Sequence, residues 1–270
     1  MIIAISSAVL SVASGLASAR ASQRAKQFEF ELEKQRKQED AAEQAERILH
    51  QYRDPLLDAA QTLQSRIFNI VEQAYLERYL HCGDAAEEQY ARDYTVFAVA
   101  EYLCWVEILR RELRFLDVGN VERNRELLAL LTKTQVTFQA DSIDAPFRVF
   151  RGRQRAIAEL MMIPTRATEG PRSECMGYAA FCHRLATDET FASWFDMLRA
   201  DVDVLARGRD EGYPRLARLQ GNLIELIDFL DPHSVRIPES LRKSVSAPDG
   251  PRRPEPAAGQ PVLQPGPSGA

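Results

Sequence analysis

The sequence predicts an all-α protein: an N-terminal transmembrane helix that continues into a helical stalk, a bundle of about seven helices, and a disordered tail. Three observations support this fold class. The first 19 residues carry no charged side chain, residues 20–50 contain neither Gly nor Pro, and no segment alternates like a β-strand between hairpin turns. The expected domains are an anchor at 1–19, a charged juxtamembrane helix at 20–50, a bundle at 51–235 and a Pro-rich tail at 236–270.

The composition limits the class of protein. Of the 270 residues, 45% are hydrophobic and 27% are charged, which is ordinary for a protein with a folded core. The formal net charge of -5 argues against a surface that holds nucleic acid, so no nucleic-acid partner is expected. Cysteines occur at 82, 104, 175 and 182, without the dense spacing of a disulfide-stapled domain and without a complete zinc-ligand set. Reduced thiols in a cytoplasmic compartment are therefore expected.

Residues 1–19, MIIAISSAVLSVASGLASA, are the predicted membrane anchor. A helix of about 19 residues reaches about 28 Å, close to the thickness of the hydrocarbon layer. Basic residues follow it at 20, 24 and 26, which places the N-terminus outside the cell membrane and the bulk of the chain in the cytoplasm. Two alternatives stay open: a cleaved signal peptide, because Ala17-Ser18-Ala19 has the form of a cleavage site, and a soluble or interfacial helix.

Small residues recur every four positions along the anchor, at Ser7, Ser11, Gly15 and Ala19. Such a stripe allows two membrane helices to approach closely, so the anchor is a candidate for self-association. The alternative is that small residues are simply common in a short anchor.

Residues 20–50 are rich in Ala, Gln, Glu, Lys and Arg, all strong helix formers, and predict one continuous helix. A 4-3 seam can be drawn along it, but the middle of the seam is polar, which makes a poor coiled coil. A solvated stalk is the favoured interpretation. The alternative is a homodimer that pairs through Phe28 and Leu32, although a sustained coiled coil needs three or four apolar heptads.

The bundle is delimited by residues that begin or end helices. Asp54-Pro55 is typical of an N-cap followed by Pro in the first turn, and Gly83 of a C-terminal stop, so one helix is expected between them. Residues 95–109, TVFAVAEYLCWVEIL, are apolar almost all the way round, which predicts a central helix. Helices are predicted at 90–116, 121–139, 147–163, 174–186, 188–207 and 214–230.

Glu101 is a candidate buried polar residue of the central helix. Its neighbours one turn away, at 97, 98, 104 and 105, are apolar or small. A buried carboxylate is costly unless it meets an Arg, a hydrogen-bond donor or a proton. We expect one of these three, and the segment FRVFRGRQR at 147–155 is the expected source of the Arg.

Arg148, Arg151 and Arg155 share one face of the predicted helix 147–163, in an otherwise acidic chain. Guanidinium groups bind carboxylates and phosphates in bidentate fashion, so this face could hold an anionic small molecule or a lipid head group. The favoured interpretation is structural, because charged helical faces are usually solvated or paired internally. The expected internal partners are Glu101, Glu107, Glu159 and Asp144.

No catalytic or cofactor motif is found, so no cofactor is expected, and a non-enzymatic function is favoured over an enzymatic one. The sequence lacks GxGxxG, GxxxxGK[ST], HExxH and GxSxG. Cys182-His183 and His81-Cys82 pair a thiol with an imidazole, but adjacent residues of a helix point about 100° apart and do not face each other.

Three segments, YRDPLLDAAQTLQSRIFNI, EYLCWVEILRRELRFLD and FRVFRGRQRAIAELMM, resemble uncharacterised bacterial proteins with an N-terminal anchor and a helical cytoplasmic domain. The resemblance covers residues 1 to about 235 and implies no activity, cofactor or catalytic residue. Two functions are therefore expected as alternatives. The first is a membrane-tethered interaction or scaffold module for a cytoplasmic protein, and the second is a sensor or enzyme that binds an anion at the Arg-rich face.

Overall fold

The computed structural model describes the backbone of residues 2–114, 122–143, 146–167, 170–208 and 213–245. Side chains are described for these residues except at most positions before 51 and at a few positions beside the gaps. The described residues are mostly helical, which confirms the all-α class. Their helices are α1 (Ile2–Gln73), α2 (Tyr75–Tyr79), α3 (Ala85–Arg114), α4 (Glu122–Gln139), α5 (Arg151–Met161), α6 (Tyr178–Thr187), α7 (Glu189–Ser193), α8 (Asp196–Arg207), α9 (Tyr213–Leu230) and a 3-10 turn (Glu239–Leu241).

Helix α1 runs without a break for 72 residues. The predicted helix start at Asp54-Pro55 is wrong, because the helix continues through Pro55. A Pro inside a helix removes a backbone hydrogen bond and costs on the order of 3 kcal/mol. Packing offsets this cost, since Leu56 and Leu57 are buried and the Arg53 Nε donates to the Leu230 carbonyl at 2.6 Å. The helix ends before Gly83, because Ala74 adopts a left-handed conformation with a φ of 51°.

The segments predicted as anchor and stalk both belong to α1. Side chains 26–40 are all exposed to solvent, and Phe28 and Phe30 are 67% and 68% exposed. Within the part of the chain that the structure describes, no helix is both long and apolar enough to cross a membrane. The side chains of residues 1–19 lie outside the described residues, and with them the predicted packing stripe of Ser7, Ser11, Gly15 and Ala19.

Helix α3 lies at the centre of the bundle and packs against α1, α5 and α8. Residues 95–109 are buried except for Glu101 and Trp105, which are half-buried. A helix that is apolar almost all the way round needs neighbours on every side. The predicted central helix is therefore confirmed.

A β-hairpin interrupts the helices between α5 and α6. Strands β1 (Met162–Ala167) and β2 (Gly170–Cys175) pair antiparallel, with Met162 opposite Cys175. The prediction of essentially no sheet is wrong here, as are the predicted helix end at 163 and helix start at 174. Pro164 cannot donate to a helix, and Pro is tolerated in strands at a sheet edge, which both strands of a two-stranded sheet are.

Residues 231–245, which we call the C-terminal clasp, fold back onto the bundle. Asp231 is fully buried and accepts hydrogen bonds from the backbone N–H groups of Val235, Arg236 and Ile237 at 2.9–3.1 Å, and from Arg242 Nη2 at 2.8 Å. The prediction of a disordered tail from residue 236 is wrong for 236–245, because this buried carboxylate organises a turn. Residues 246–270 lie outside the described residues.

Candidate functional site

The Arg-rich segment does not form a single helix face. Phe147 has a φ of 65°, and its N–H donates to the Asp201 carboxylate at 2.9 Å, which holds the chain in an irregular conformation before the helix. Helix α5 begins only at Arg151, so Arg148 lies off the helix. The predicted common face of Arg148, Arg151 and Arg155 is therefore wrong.

Arg155 lies against carboxylates of the bundle. Its Nε is 3.8 Å from Glu107 Oε1, and its Nη2 is 3.9 Å from Glu159 Oε1. Glu107, whose side chain is 3% exposed, also accepts from Arg110 at 2.5 Å and from Arg111 at 2.9 Å. Burial opposes ionisation of Glu107, but the hydrogen bonds from these two arginines outweigh it and hold its pKa below the ordinary value.

Two of the three candidate arginines, Arg148 and Arg155, thus have carboxylate neighbours at 3.5–3.9 Å, and the choice between the structural and the anion-binding interpretation stays a prediction. Arg148 Nη1 lies 3.5 Å from Asp141, and Arg151 is exposed at the first residue of α5. Asp144, one of the expected partners, lies outside the described residues. Anion binding by Arg148, Arg151 and Arg155 stays a prediction, and the geometry does not bring the three side chains to one point.

Glu101 does not receive its expected arginine, because Arg155 pairs with Glu107 almost two turns further along α3. Burial, and then the negative charge of Asp58 on α1, raise the pKa of Glu101 to about 7. Of the three partners predicted for this carboxyl, the structure therefore favours a proton. The charge of Glu101 therefore depends on pH near neutrality.

Two thiols lie close to Glu101. The Cys175 thiol, at the end of β2, hydrogen bonds with Cys104 of α3, which is fully buried. This contact, the burial and the charge of Glu101 strongly raise the pKa of Cys175. A thiol with a raised pKa stays protonated and is a weak nucleophile. The cluster of Glu101, Cys104 and Cys175 therefore contains a carboxyl that titrates near neutral pH beside the Cys175 thiol, which stays protonated.

An arginine–tyrosine cluster between α1, α2 and α3 has no counterpart among the predicted sites. Arg66 is only 6% exposed, and its guanidinium lies over the rings of Tyr75, Tyr94 and Tyr90 at 4.5, 4.8 and 5.6 Å. Its Nη1 is buried without a hydrogen-bond partner, and the three rings stabilise the charge through cation–π contacts. The sequence feature that could have indicated a buried arginine is the position of Arg66 three residues after Leu63, on the apolar stripe of the helix.

A groove with a volume of about 790 Å³ lies between α4 and α9. Leu128 and Val136 are 41% and 49% exposed on its α4 side, and Lys133 of α4 forms an ion pair with Glu225 of α9 at 2.5 Å. Thr137 and Asn222, hydrogen bonded to each other at 2.9 Å, form its buried base. We call this the α4–α9 groove; its lining also includes Ala129, Thr132, Arg218 and Gly221.

Among the residues that the structure describes, no group of three or more His, Cys, Asp or Glu is placed to hold a metal ion. No protein-family model, no curated protein and no solved structure matches this chain. The fold itself defines the class: a helical bundle at the C-terminal end of one long helix.

Proposed function

We propose that this protein is a membrane-tethered helical interaction module, in which one long helix holds the bundle away from the membrane for a cytoplasmic protein partner. The continuity of α1 carries the proposal. From Tyr52 onward its side chains enter the core, whereas side chains 26–40 are exposed. At about 1.5 Å per residue, residues 20–51, which follow the proposed anchor, extend about 48 Å, so the same helix serves as support and as part of the bundle.

The membrane end of the proposal rests on the sequence. Residues 1–19 carry no charge and are followed by Arg20, Arg24 and Lys26, an order typical of a single-pass anchor with its N-terminus outside. The bulk of the chain then lies on the cytoplasmic side of the cell membrane. The four free cysteines, at positions 82, 104, 175 and 182, are consistent with a reducing compartment.

The titratable groups of the bundle described above are compatible with an interaction role. Glu101 titrates near neutral pH, but the neighbouring Cys175 is held in its protonated form. Glu107 is neutralised by Arg110 and Arg111, so that buried charge is used within the fold.

In this proposal, two copies of the chain pair through their anchors and not through their stalks. In the stalk, Glu29, Glu31 and Glu33 precede Lys34, Arg36 and Lys37. A parallel pair of stalks brings like charges to the same height, which weakens pairing through Phe28 and Leu32. The small-residue stripe of the anchor has no such charges.

The tether is tested by alkaline carbonate extraction and protease protection of membranes. We expect the full-length chain to resist extraction, and a shortened chain that begins at Tyr52 to be soluble. Leu10→Arg places a charge in the middle of the anchor and should release the full-length chain. Phe28→Arg, the matched loss of an apolar side chain in the stalk, should leave it attached. A soluble mature chain that lacks residues 1–19 would instead identify a signal peptide.

A further inference from the structure

Two cysteines that are distant in sequence lie in contact where the β-hairpin meets α3. Cys104 is in α3, and Cys175 is the last residue of β2, which packs against α3. The Cys175 thiol hydrogen bonds with Cys104, and both cysteines are free. Because the sulfur atoms of a disulfide are about 2.0 Å apart, a short movement of the two side chains is enough to turn this contact into a bond.

The backbone on each side of the contact is held by regular structure. Cys104 lies well inside α3, a helix of 30 residues. Cys175 is opposite Met162 in the hairpin, and the N–H of the next residue, Met176, donates to the Met161 carbonyl at 2.8 Å. The proximity of the two thiols is therefore a property of the fold.

The two thiols differ in their access to solvent. Cys104 is fully buried, whereas Cys175 is partly exposed. A dissolved oxidant therefore meets Cys175 first, and Cys104 is positioned to react with the oxidised product. The other two cysteines have different surroundings, since Cys82 is exposed and Cys182 hydrogen bonds with Tyr178.

We propose that Cys104 and Cys175 form a reversible, peroxide-responsive disulfide that joins the β-hairpin to α3. One oxygen of hydrogen peroxide is transferred to the Cys175 sulfur, which becomes a sulfenic acid, and the other oxygen leaves as water. The Cys104 sulfur then attacks the sulfenic sulfur, and the thiol proton leaves with the sulfenic hydroxyl as a second water. In total, two S–H bonds break, one S–S bond forms, and hydrogen peroxide accepts two electrons.

The surroundings of the pair set a high threshold for this reaction. The contact with Cys104, burial and the charge of Glu101 strongly raise the pKa of the Cys175 thiol. Peroxide reacts with the thiolate, so a thiol with a raised pKa reacts slowly and stays reduced in a reducing compartment. The pair therefore responds to a sustained rise in peroxide and is not a permanent cross-link. This response does not depend on the membrane tether.

Peptide mapping of the full-length protein tests the pair. The reduced, folded protein is treated with hydrogen peroxide, its remaining thiols are blocked with N-ethylmaleimide, and its peptides are identified by mass spectrometry. We expect a disulfide between Cys104 and Cys175 within one molecule, and dithiothreitol should reverse it. Because this bond closes a long loop of the chain, oxidation should raise the urea midpoint of unfolding by about 1 M.

Single alanine variants assign a role to each thiol. In Cys104→Ala, the Cys175 sulfenic acid should persist and be trapped by dimedone present during the treatment. In Cys175→Ala, the buried Cys104 should stay reduced. Cys182→Ala is the matched control, because Cys182 is also partly exposed and lies on the helix that follows β2, and it should leave the disulfide unchanged. Circular dichroism establishes that the variants are folded.

Four results would overturn the proposal: a disulfide between Cys175 and Cys182, links only between separate molecules, free thiols at 104 and 175 after a treatment that oxidises Cys82, or a urea midpoint that does not rise on oxidation. Membrane extraction tests the tether separately. Failure of the disulfide therefore leaves the tether standing, and loss of the tether leaves the disulfide standing.

Discussion

Replacing Glu101 by Gln preserves the size of the side chain and removes its titration. The folded protein binds the Glu101 proton with a pKa of about 7, whereas the unfolded chain binds it with the ordinary value of 4.5. Between these pH values the folded state holds more protons than the unfolded state. The contribution of Glu101 to the free energy of unfolding therefore falls as the pH rises from about 4.5 to about 7, and it is constant above that range. The Gln variant should lack this fall.

The expected size of the effect follows from the difference between the two pKa values, which corresponds to roughly 3.4 kcal/mol. Glu101 is only half-buried, and solvent screening reduces this figure. We expect the Gln variant to gain about 1–2 kcal/mol over wild type between pH 5 and pH 8. The charge of Asp58 is the second cause after burial, so Asp58→Asn should recover a smaller share.

Urea unfolding followed by circular dichroism at pH 5 and pH 8 measures this difference. Wild type and Glu101→Gln should have similar stability at pH 5, and the variant should be the more stable at pH 8. Glu126→Gln, on the exposed side of α4, is the matched control and should show no such gain. Parallel pH dependence of wild type and Glu101→Gln would refute the assignment of a raised pKa to this carboxyl.

Three further substitutions test the fold by urea unfolding. Pro55→Ala should stabilise the protein by about 1–3 kcal/mol, because it restores a hydrogen bond inside a continuous α1; no change, or a loss, would indicate a helix boundary there. Arg215→Met should lower the free energy of unfolding by about 4 kcal/mol. The Arg215 side chain is fully buried and donates four hydrogen bonds, of 2.5–3.1 Å, to backbone carbonyls at the end of α4 and just beyond it. A loss below about 1 kcal/mol would contradict this role. Arg242→Met should lower the free energy of unfolding by about 3–5 kcal/mol, because it removes the cation that pairs with the buried Asp231. Arg236→Met removes only an exposed ion pair with Asp54 and should lower it by less than about 1 kcal/mol. Equal losses would show that the clasp does not depend on Asp231.

The helices that the sequence predicts well are those with strong apolar patterns. Residues 95–109 are apolar on every face, and only a central position in α3 satisfies that pattern. Local signals failed where distant contacts compete with them. Asp54-Pro55 has the signals of a helix start, but the burial of Leu56 and the hydrogen bond from Arg53 to Leu230 stabilise a continuous helix. Such contacts join residues far apart in sequence, so no local pattern reveals them.

In the candidate site, too, the local sequence predicts some features, and others depend on distant contacts. The unusual position of Glu101 follows from its apolar neighbours alone, and its raised pKa agrees with that reading. Its partner could not be predicted, because the pairing depends on where α5 begins. A start at Arg151 leaves Arg148 off the helix and brings Arg155 to Glu107. The cluster around Arg66 could not be predicted, because its tyrosines lie on α2 and α3 and no local pattern pairs them with an arginine of α1.

The C-terminal clasp was missed for a different reason. Composition predicts disorder from residue 236, because the segment is rich in Pro and Ser. One buried carboxylate, Asp231, is enough to order the next residues through three backbone N–H groups and Arg242. A count of residue types does not detect a single organising side chain.

Because α1 is one continuous helix, its N-terminal part fixes the direction in which the bundle faces. Each residue of a helix advances about 100° around the axis, so the direction in which the bundle faces is set by the number of residues that precede it. Inserting one residue between Asp40 and Gln51 would turn the bundle by about 100° and lift it by about 1.5 Å. Inserting seven would return it to within about 20° of its original bearing. If the proposed partner binds one face of the bundle, its binding should therefore vary periodically with the number of inserted residues.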